Sequence, residues 1–559
     1  MRFLKFLISV FKAYDFRDKL VTGFAFAVIL LMFVKMIIFP YGFFNFGAPN
    51  IYTEGIVSKS GVNNLNPLFV DYNEADREIS SLIFSGLMKY DPDKKAIVDD
   101  MASLTINEEK TEYTFTVRAG LKWQDGYDFT AEDVYFTFHD VVLNQSFPNE
   151  ILKTNFSGIE MELIDKDKIK FTLKKPNVFF INNLTVGILP KHLLASVSPS
   201  DLLTNDFNKM PIGTGPYMIN EPIQRFTDGR FQVILARSPY YYGDVSEIEN
   251  LRFIVYETME ELIKEINAVN GVSKVTGNYI IDFRNNARFK LLSYQLPQYM
   301  AVFMNMESSI LKDNDKVRFA LKKSVFKKEL LDMFVDKIPV ETPIMDLKQE
   351  DYAIVPSKEE AMTSLKDAGY DYGIDDTEKV GIRYDKDGKA LELNLIARLY
   401  EEGTYQFDET NKIIGFLQKA WEDIGIDIKV EFLERDDFRN RLSNRGYDLA
   451  FVGQNLGYNL DTYSYWHSTQ ADPRGQNLSN YKSFGVDALI EDIRSTFDLE
   501  KRAFILKDLA KQINDDNAAI FLYRPVYYYA SDNKLSGISM DGVVYPSDRF
   551  ARIAQWKFN

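Results

Sequence analysis

The sequence predicts an α/β protein of two or more lobes, preceded by one N-terminal transmembrane helix. Three observations lead to this prediction. A strand–helix–strand–helix–strand pattern occupies the C-terminal third, further α/β blocks lie on either side of it, and a twenty-residue apolar run lies near the start. With 559 residues, the chain is long enough for about three to four domains of roughly 150 residues each.

The apolar run extends from Leu20 to Phe39 and contains one charged residue, Lys35. As a helix it would span roughly 30 Å, the thickness of the hydrocarbon core of a membrane. Basic residues precede it, so the positive-inside rule places residues 1–19 in the cytoplasm and the bulk of the chain on the extracytoplasmic side. Residues 20–39 are therefore predicted to be a retained signal anchor and residues 40–54 a tether. The alternative is a cleaved signal peptide, which is disfavoured because no small-x-small cleavage site follows the run.

Two blocks add α/β units. Glu112–Val142 predicts a strand, a turn and a helix, with Thr130 as the N-cap and Asp133 in a capping-box position. The acidic residues of this block fit no calcium-loop spacing, so turn and cap roles explain them better. Near the C-terminus, Glu500–Asn514 predicts a helix, and Ala518–Ser531 predicts a strand region interrupted by a proline.

The C-terminal third predicts a parallel sheet covered by helices. Its elements are a strand, a helix, a strand, a helix and a strand, at Leu391–Leu399, Asn411–Ile424, Ile426–Glu434, Asp436–Leu442 and Tyr447–Gly453. Ligands of such sheets bind beyond the carboxyl ends of the strands. The segment Gly453–Ser468, which is rich in glycine, amides and aromatics, is therefore a candidate recognition surface. An ordinary surface loop is the alternative.

Composition excludes or disfavours several kinds of function. The chain has no cysteine, which removes disulfides, thiolate nucleophiles and cysteine-bound metals. Its three histidines (His139, His192 and His467) are far apart, which disfavours a transition-metal site or a histidine-dependent triad. A net charge of −15 disfavours nucleic acid as a partner. No GxxxxGK[ST] motif is present, and no cofactor is predicted.

From residue 55 onward the chain carries a series of short motifs. The most specific is TFTVRAGLKWQDGYDFTAEDV, Thr114–Val134. The others are LNPLF (Leu65–Phe69), IFSGLMKYD (Ile83–Asp91), LPKHLL (Leu189–Leu194), PIGTGPY (Pro211–Tyr217), RSPYYYG (Arg237–Gly243), VRFALKKSV (Val317–Val325) and SNYKSFGVDALI (Ser479–Ile490). In this order they resemble family 5 of the extracellular solute-binding proteins, the oligopeptide, dipeptide and related receptors of ABC importers. The resemblance covers residues 55–559.

This resemblance implies a two-lobed type II periplasmic-binding-protein fold with an extra inserted domain. Carried over, lobe I comprises residues 55–80, 198–285 and 518–559, the inserted domain residues 81–197, and lobe II residues 286–517. In peptide-binding members the ligand lies extended between the lobes and pairs main chain to main chain. An aspartate on the second lobe holds the α-ammonium group of the ligand.

The resemblance also implies ligand-contacting residues. Gly457 stands where the family carries the ammonium-binding aspartate, and Asp461 is the nearest carboxylate, four residues later. This departure weakens the expectation of a peptide with a free N-terminus. Three further groups are candidates. Following the LNPLF motif are Asp71, Tyr72 and Asn73, and on the pairing strand are Gly453, Gln454 and Asn455. The third group consists of aromatics beyond that strand: Tyr458, Tyr463 and Trp466. For each aromatic, core or surface packing is the alternative.

The implied function is a membrane-anchored receptor that captures an oligopeptide or similar extended solute and delivers it to ABC permease subunits, without catalysis. Capture would close the lobes about a hinge. An alternative function is a receptor for an oligosaccharide, glycopeptide or cell-wall fragment. Neutral side chains suited to recognising hydroxyl groups favour it: Gln454, Asn455, Tyr458, Asn459 and Trp466. A third hypothesis is an extracellular hydrolase that uses Asp71 and Asp461, which is disfavoured because carboxylates are abundant on an acidic chain.

Overall fold

The computed structural model describes Asp15 and residues 51–70, 73–219, 221–372, 381–458, 460–473 and 475–559. The chain divides into two compact units, Met1–Ile51 and Tyr52–Asn559. The predicted anchor over residues 20–39 lies outside the described residues, as do nearly all of residues 1–19. Within the described ranges, no helix is both long enough and apolar enough to cross a membrane.

The strands, in chain order, are β1 (Ile51–Val57), β2 (Met88–Asp91), β3 (Ala96–Asp99), β4 (Ala102–Ile106), β5 (Glu112–Val117), β6 (Glu160–Asp165), β7 (Lys168–Thr172), β8 (Tyr217–Ile219), β9 (Gln224–Arg225), β10 (Phe231–Arg237), β11 (Asn250–Tyr256), β12 (Gly271–Val275), β13 (Phe289–Gln295), β14 (Gln298–Met304), β15 (Lys337–Pro339), β16 (Asp371–Tyr372), β17 (Arg383–Tyr384), β18 (Glu392–Arg398), β19 (Asp427–Leu433), β20 (Leu449–Asn455), β21 (Ala519–Asp532), β22 (Leu535–Ser536) and β23 (Lys557–Phe558).

The α-helices are α1 (Glu74–Ile83), α2 (Ala131–Tyr135), α3 (Glu150–Phe156), α4 (Lys191–Leu194), α5 (Met259–Lys264), α6 (Tyr279–Asn285), α7 (Asp315–Lys323), α8 (Lys327–Leu331), α9 (Lys358–Asp367), α10 (Tyr405–Glu422), α11 (Arg435–Ser443), α12 (Tyr463–Trp466), α13 (Phe484–Ser495) and α14 (Leu499–Asp515). A π-helical segment, Phe136–Val142, continues α2. Short 3₁₀ segments include Phe180–Thr185 and Pro546–Gln555.

One mixed sheet contains most of the long strands, in the order β19-β18-β20-β14-β21-β12-β1-β11-β10-β8. Strand β21 joins its two halves because the strand is fourteen residues long. The first part of β21 pairs with β14, and its last part pairs with β13 and β12. Because β21 is the strand that pairs in both halves of the sheet, the halves are suited to hinge motion about it.

The predicted C-terminal pattern is confirmed. Strand β18 pairs in parallel with β19 and β20, and α10 and α11 connect these strands. Two details differ. Helix α10 begins at Tyr405, earlier than predicted, because the Thr404 side chain accepts a hydrogen bond from the Phe407 amide and caps the helix there. Strand β14 pairs antiparallel with β20, so the sheet is mixed and not purely parallel.

The two further blocks also form as predicted, with one correction. Thr130 caps α2, and its bonds with Asp133 form the expected capping box. Strand β21 is not interrupted at Pro525, because Pro525 lies in register with Lys337 of the three-residue strand β15. Proline is tolerated there since β15 covers only a short stretch of the edge of β21.

Several separate apolar cores form among the described residues, and the three with the most residues lie in different regions of the chain. One core packs on the four-stranded sheet β4-β5-β7-β6 and includes Trp123, Phe138 and Phe171. A second includes Leu395, Trp421 and Leu449, and a third includes Tyr52, Phe253 and Trp556. Burying a large apolar side chain stabilises a fold by about 1.5–3 kcal/mol, so each core contributes substantially to stability.

Candidate functional site

The end of β20 presents main-chain groups at a free sheet edge. On one side, β20 pairs with β14 along its length, from Leu449 opposite Met304 to Asn455 opposite Gln298. On the other side, β18 reaches only Leu449 and Ala450. Among the described residues, no strand covers Gly453–Asn455 on that side, although the Tyr465 hydroxyl donates to the Asn455 carbonyl at 2.9 Å. An extended ligand therefore has a partly open edge on which to pair.

The side chains of this edge alternate between interior and solvent, as a strand requires. Gln454 is buried; its side-chain oxygen accepts from the Tyr299 hydroxyl, and its nitrogen donates to the Gln476 carbonyl at 3.2 Å. Gly453 and Asn455 are exposed. Gln454 therefore supports the strand from within, while Gly453 and Asn455 face outward.

Gly457 has a backbone conformation and surroundings that exclude a side chain. Its φ is +58°, in the left-handed region that favours glycine. A Cβ atom at this position would lie 2.1 Å from the Tyr545 hydroxyl oxygen. The family's aspartate therefore has no room here in this structure, because Tyr545 occupies the space.

Tyr458 connects three parts of the chain. Its carbonyl accepts from the Asn182 amide at 3.3 Å, its ring stacks on Tyr90 with centroids 5.0 Å apart, and its hydroxyl donates to Asp548. Burial raises the pKa of Asp548 to about 6, although Tyr458 and two backbone amides donate to this carboxylate. Burial and the nearby Asp548 charge raise the pKa of Tyr458 well above its ordinary value.

Asp461 has a cationic partner within the chain. The carboxylate is 5% exposed and forms an ion pair with Arg494 at 3.0 Å. It also accepts a hydrogen bond from the Tyr463 amide at 3.0 Å, and the Arg494 guanidinium lies over the Tyr463 ring at 4.3 Å. Burial raises the pKa of Asp461, and Arg494 opposes that rise. A ligand ammonium would have to compete with Arg494 for this carboxylate.

Trp466 and Tyr463 have packing roles. Trp466 is 1% exposed and packs against Phe303 and Phe521, so it belongs to the core and not to a cleft wall. The core alternative left open by the sequence is therefore the one observed. Tyr463 is half-buried and stacks on His467, with centroids 4.2 Å apart.

Asn73 caps helix α1. Its side-chain oxygen accepts from the Ala75 amide at 3.1 Å, and its nitrogen donates to the Gly61 carbonyl at 2.7 Å. Both bonds are internal, so the observed role of Asn73 is to hold the start of the helix. Asp71 and Tyr72 lie outside the described residues.

Two neighbouring cavities flank the segment that follows β20. Cavity A, of about 260 Å³, lies between residues 67–84, 152–187, 456–458 and 545–547. Cavity B, of about 800 Å³, lies between residues 154–183, 461–470 and 491–495. Tyr458 and Tyr545 line cavity A, and Asp461, Tyr463 and Arg494 line cavity B.

Asn155 and Asn183 line both cavities and were not predicted as site residues. Neither side chain makes a hydrogen bond within the described part of the chain, so both amides are available to a ligand. The sequence held little signal for them. They are distant from β20 in the chain, and isolated asparagines are common in turns.

The comparisons with known proteins define the class of molecule. Residues 96–476 match the model of the bacterial extracellular solute-binding proteins, family 5 middle region. This match covers more than half of the chain, and the chain therefore belongs to family 5 of the bacterial extracellular solute-binding proteins. The family consists of binding proteins and not of enzymes.

Individual relatives agree with this assignment. The oligopeptide-binding protein AppA of Bacillus subtilis is 25% identical over 532 residues, which are 91% of this chain and 92% of AppA. The structure of AppA with a nonapeptide has a TM-score of 0.72 at 23% identity and covers 91% of this chain and 99% of AppA. NikZ of Campylobacter jejuni, solved with Ni(L-His), has a TM-score of 0.73 at 24% identity and covers 91% of this chain and 100% of NikZ. At these identities the two structures establish the fold.

Proposed function

We propose that this protein is the substrate-binding receptor of an ABC importer and captures oligopeptides, or similar extended solutes, between two closing lobes. Residues 20–39 anchor it in the membrane, and the bulk of the chain lies outside the cytoplasm. Family membership and the similarity to an oligopeptide-binding protein support the transport role. The permease subunits of the importer are its protein partners.

The proposed domain division follows the predicted boundaries. Lobe I comprises residues 55–80, 198–285 and 518–559, the inserted domain residues 81–197, and lobe II residues 286–517. Three of the apolar cores support it, since each of them draws most of its residues from one of these regions. Strand β21, which pairs in both halves of the sheet, is the proposed hinge element.

The observation that carries the proposal is the position of Gly453–Asn455. This free edge ends beside the two cavities, which the proposed lobe I and inserted domain close from the other side. Contacts already cross this boundary. Lys59 pairs with Glu401 at 2.8 Å, and the Val178 amide donates to the Arg494 carbonyl at 2.8 Å. The arrangement therefore suits a closed receptor that encloses an extended ligand.

The end of the ligand is proposed to be held without an ammonium–carboxylate pair. Gly457 has no side chain, and the Asp461 charge is compensated by Arg494. Main-chain pairing and the free amides of Asn155 and Asn183 recognise peptide bonds instead.

An oligosaccharide, glycopeptide or cell-wall fragment is the second candidate ligand. The observation that favours it is the same pair of free amides, because amide groups bind hydroxyls as readily as peptide groups. A glycan needs no ammonium site, so the absence of a side chain at Gly457 does not count against it.

Thermal unfolding of the full chain with pooled ligands tests the proposal. Peptides at about one hundred times their Kd are expected to stabilise the protein by about 2.7 kcal/mol and to raise Tm by a few degrees. N-acetylated peptides are expected to bind within about threefold of free ones, because Gly457 offers no carboxylate to the ammonium group and Asp461 already pairs with Arg494. A shift with glycans and none with peptides would contradict the peptide proposal and support the second candidate.

A matched pair of variants locates the site. Asn183→Ala is expected to weaken peptide binding about tenfold, since one hydrogen bond to ligand is lost. Asn440→Ala, an exposed position on α11, is the control and is expected to leave affinity unchanged. Equal affinity in both variants would remove the cavities from the proposed site.

A further inference from the structure

A third cavity, cavity C, lies apart from the site just described. Its volume is about 1070 Å³, and it is lined by residues between Lys322 and Pro356 and by Ile520, Phe521 and Arg524 of β21. None of these residues lines cavity A or B. This volume lies near the upper end of ordinary small-molecule sites.

Arg524 is a cation in the wall of cavity C with no partner among the described residues. Its Nε atom is buried without a hydrogen bond, and its guanidinium takes part in no ion pair in the described part of the chain. Burial lowers the pKa of Arg524. A half-buried guanidinium without a partner favours an anion, above all a carboxylate that matches its fork.

The other deep cations of cavity C already have partners. Lys322 donates to the Asn514 carbonyl at 2.9 Å, and burial lowers its pKa to about 8. Lys327 pairs with Glu341, and Lys337 pairs with Asp336 at 3.2 Å and with Glu409 at 2.7 Å. Arg524 therefore remains as the anchoring charge.

The carboxylates of cavity C do not oppose an anion strongly. Glu341 is neutralised by Lys327, and Asp332 pairs with Lys328 at 2.6 Å. Glu329 and Glu350 are exposed at the rim, where water screens them.

The rest of the wall is apolar and continues onto the surface. Its apolar side chains include Val325, Phe326, Leu331, Ile338 and Phe521. Beside the cavity, Val335 is 82% exposed and Val355 is 78% exposed. Exposed aliphatic residues around a cavity indicate an interaction site with apolar character.

We propose that cavity C is a second ligand site, for an organic carboxylate with an apolar chain or ring. The carboxylate pairs with Arg524, and the apolar part packs against Phe521, Leu331 and their neighbours. This site is distinct from the proposed solute site, because the cavities share no lining residues.

Calorimetric titration of the full chain with 4-phenylbutyrate tests the proposal, with neutral 4-phenylbutanol as the comparison ligand. We expect saturable binding of the carboxylate, and binding at least about tenfold weaker for the alcohol. Arg524→Gln is expected to weaken carboxylate binding at least about tenfold and to leave the alcohol unchanged. Arg524→Lys keeps the positive charge but loses the forked geometry of the guanidinium. Its affinity for 4-phenylbutyrate is expected to lie between that of the parent and that of Arg524→Gln.

Arg439→Gln is the control, because Arg439 is exposed on α11, far in sequence from the cavity walls. It is expected to bind 4-phenylbutyrate as the parent does. Circular dichroism checks that each variant is folded. If Arg524→Gln does not fold, Arg524→Lys is used for the test instead. Absence of saturable binding in the parent, or equal loss in the Arg439 and Arg524 variants, would overturn the proposal.

Discussion

Replacing Gly457 with aspartate is expected to lower the free energy of unfolding by about 2 to 4 kcal/mol and to create no ammonium site. The new Cβ would lie 2.1 Å from the Tyr545 hydroxyl oxygen, and φ at +58° strains any residue with a side chain. The expected loss combines overpacking with the strain of a left-handed backbone. Tyr545 cannot swing away freely, because Arg77 lies over its ring at 4.4 Å and Tyr458 packs against it in a T-shaped arrangement.

Two further variants separate the strain from the clash. Gly403 also has a positive φ, +86°, but a Cβ there would meet no atom within 4 Å. Gly403→Asp is therefore expected to cost only about 1 kcal/mol in urea unfolding. In a Tyr545→Ala background, the cost of Gly457→Asp is expected to fall to a similar value. Equal costs at Gly457 and Gly403 in the parent would show that Tyr545 does not exclude the side chain.

Replacing Arg549 with methionine is expected to lower the free energy of unfolding by about 3–5 kcal/mol. The Arg549 side chain is fully buried and pairs with two buried carboxylates, Glu54 at 2.8 Å and Glu78. Tyr52 and Tyr529 donate hydroxyl hydrogen bonds to Glu54. This cluster joins β1, α1, β21 and the segment Pro546–Gln555. Loss of the guanidinium removes the cation that pairs directly with both buried carboxylates.

The cost of Arg549→Met is expected to depend on pH. Burial raises the pKa of Glu78, and Arg549 opposes that rise. Without Arg549 the pKa of Glu78 in the folded state rises further above its unfolded value. Stability then falls as pH rises through the folded pKa, so the loss should be larger near pH 8 than near pH 5.

Urea unfolding at both pH values checks this expectation. Arg439→Met, at an exposed position on α11, is the control and is expected to change stability by about 0.5 kcal/mol or less. Adding Glu78→Gln to Arg549→Met is expected to restore part of the loss, since one buried charge is removed. A loss no greater than that of the control would mean that the cluster does not stabilise the fold as an ion network.

Local sequence patterns predicted the elements near the site well. The strand predicted over Ile426–Glu434 is observed as Asp427–Leu433, and the helix predicted over Glu500–Asn514 is observed as Leu499–Asp515. Both depend on apolar periodicity and on capping residues, which act over a few neighbours in the chain. Strand pairing across long separations was not predictable in this way. The antiparallel β14 beside β20 is an example, since Leu449 lies 145 positions after its partner Met304.

The candidate site shows the same limit. The resemblance placed Gly457 and Asp461 in it, but neither their neighbours nor the spacing indicated what fills the space around them. Tyr545 and Arg494 do so, and they lie 88 and 33 residues further along the chain. The sequence around Trp466 could not show whether its side chain packs in the core or contacts ligand, because a large aromatic residue suits both positions.

Mass spectrometry of the ligand that remains bound to the full-length protein, purified from the cells that make it, tests peptide capture most directly. We expect denaturation to release peptides of mixed sequence, in an amount approaching one per chain, and we expect the same peptides to raise Tm when added back. Mixed sequences are expected because main-chain pairing is insensitive to side chains. Release of glycans alone, together with no stabilisation by any peptide, would contradict an oligopeptide receptor.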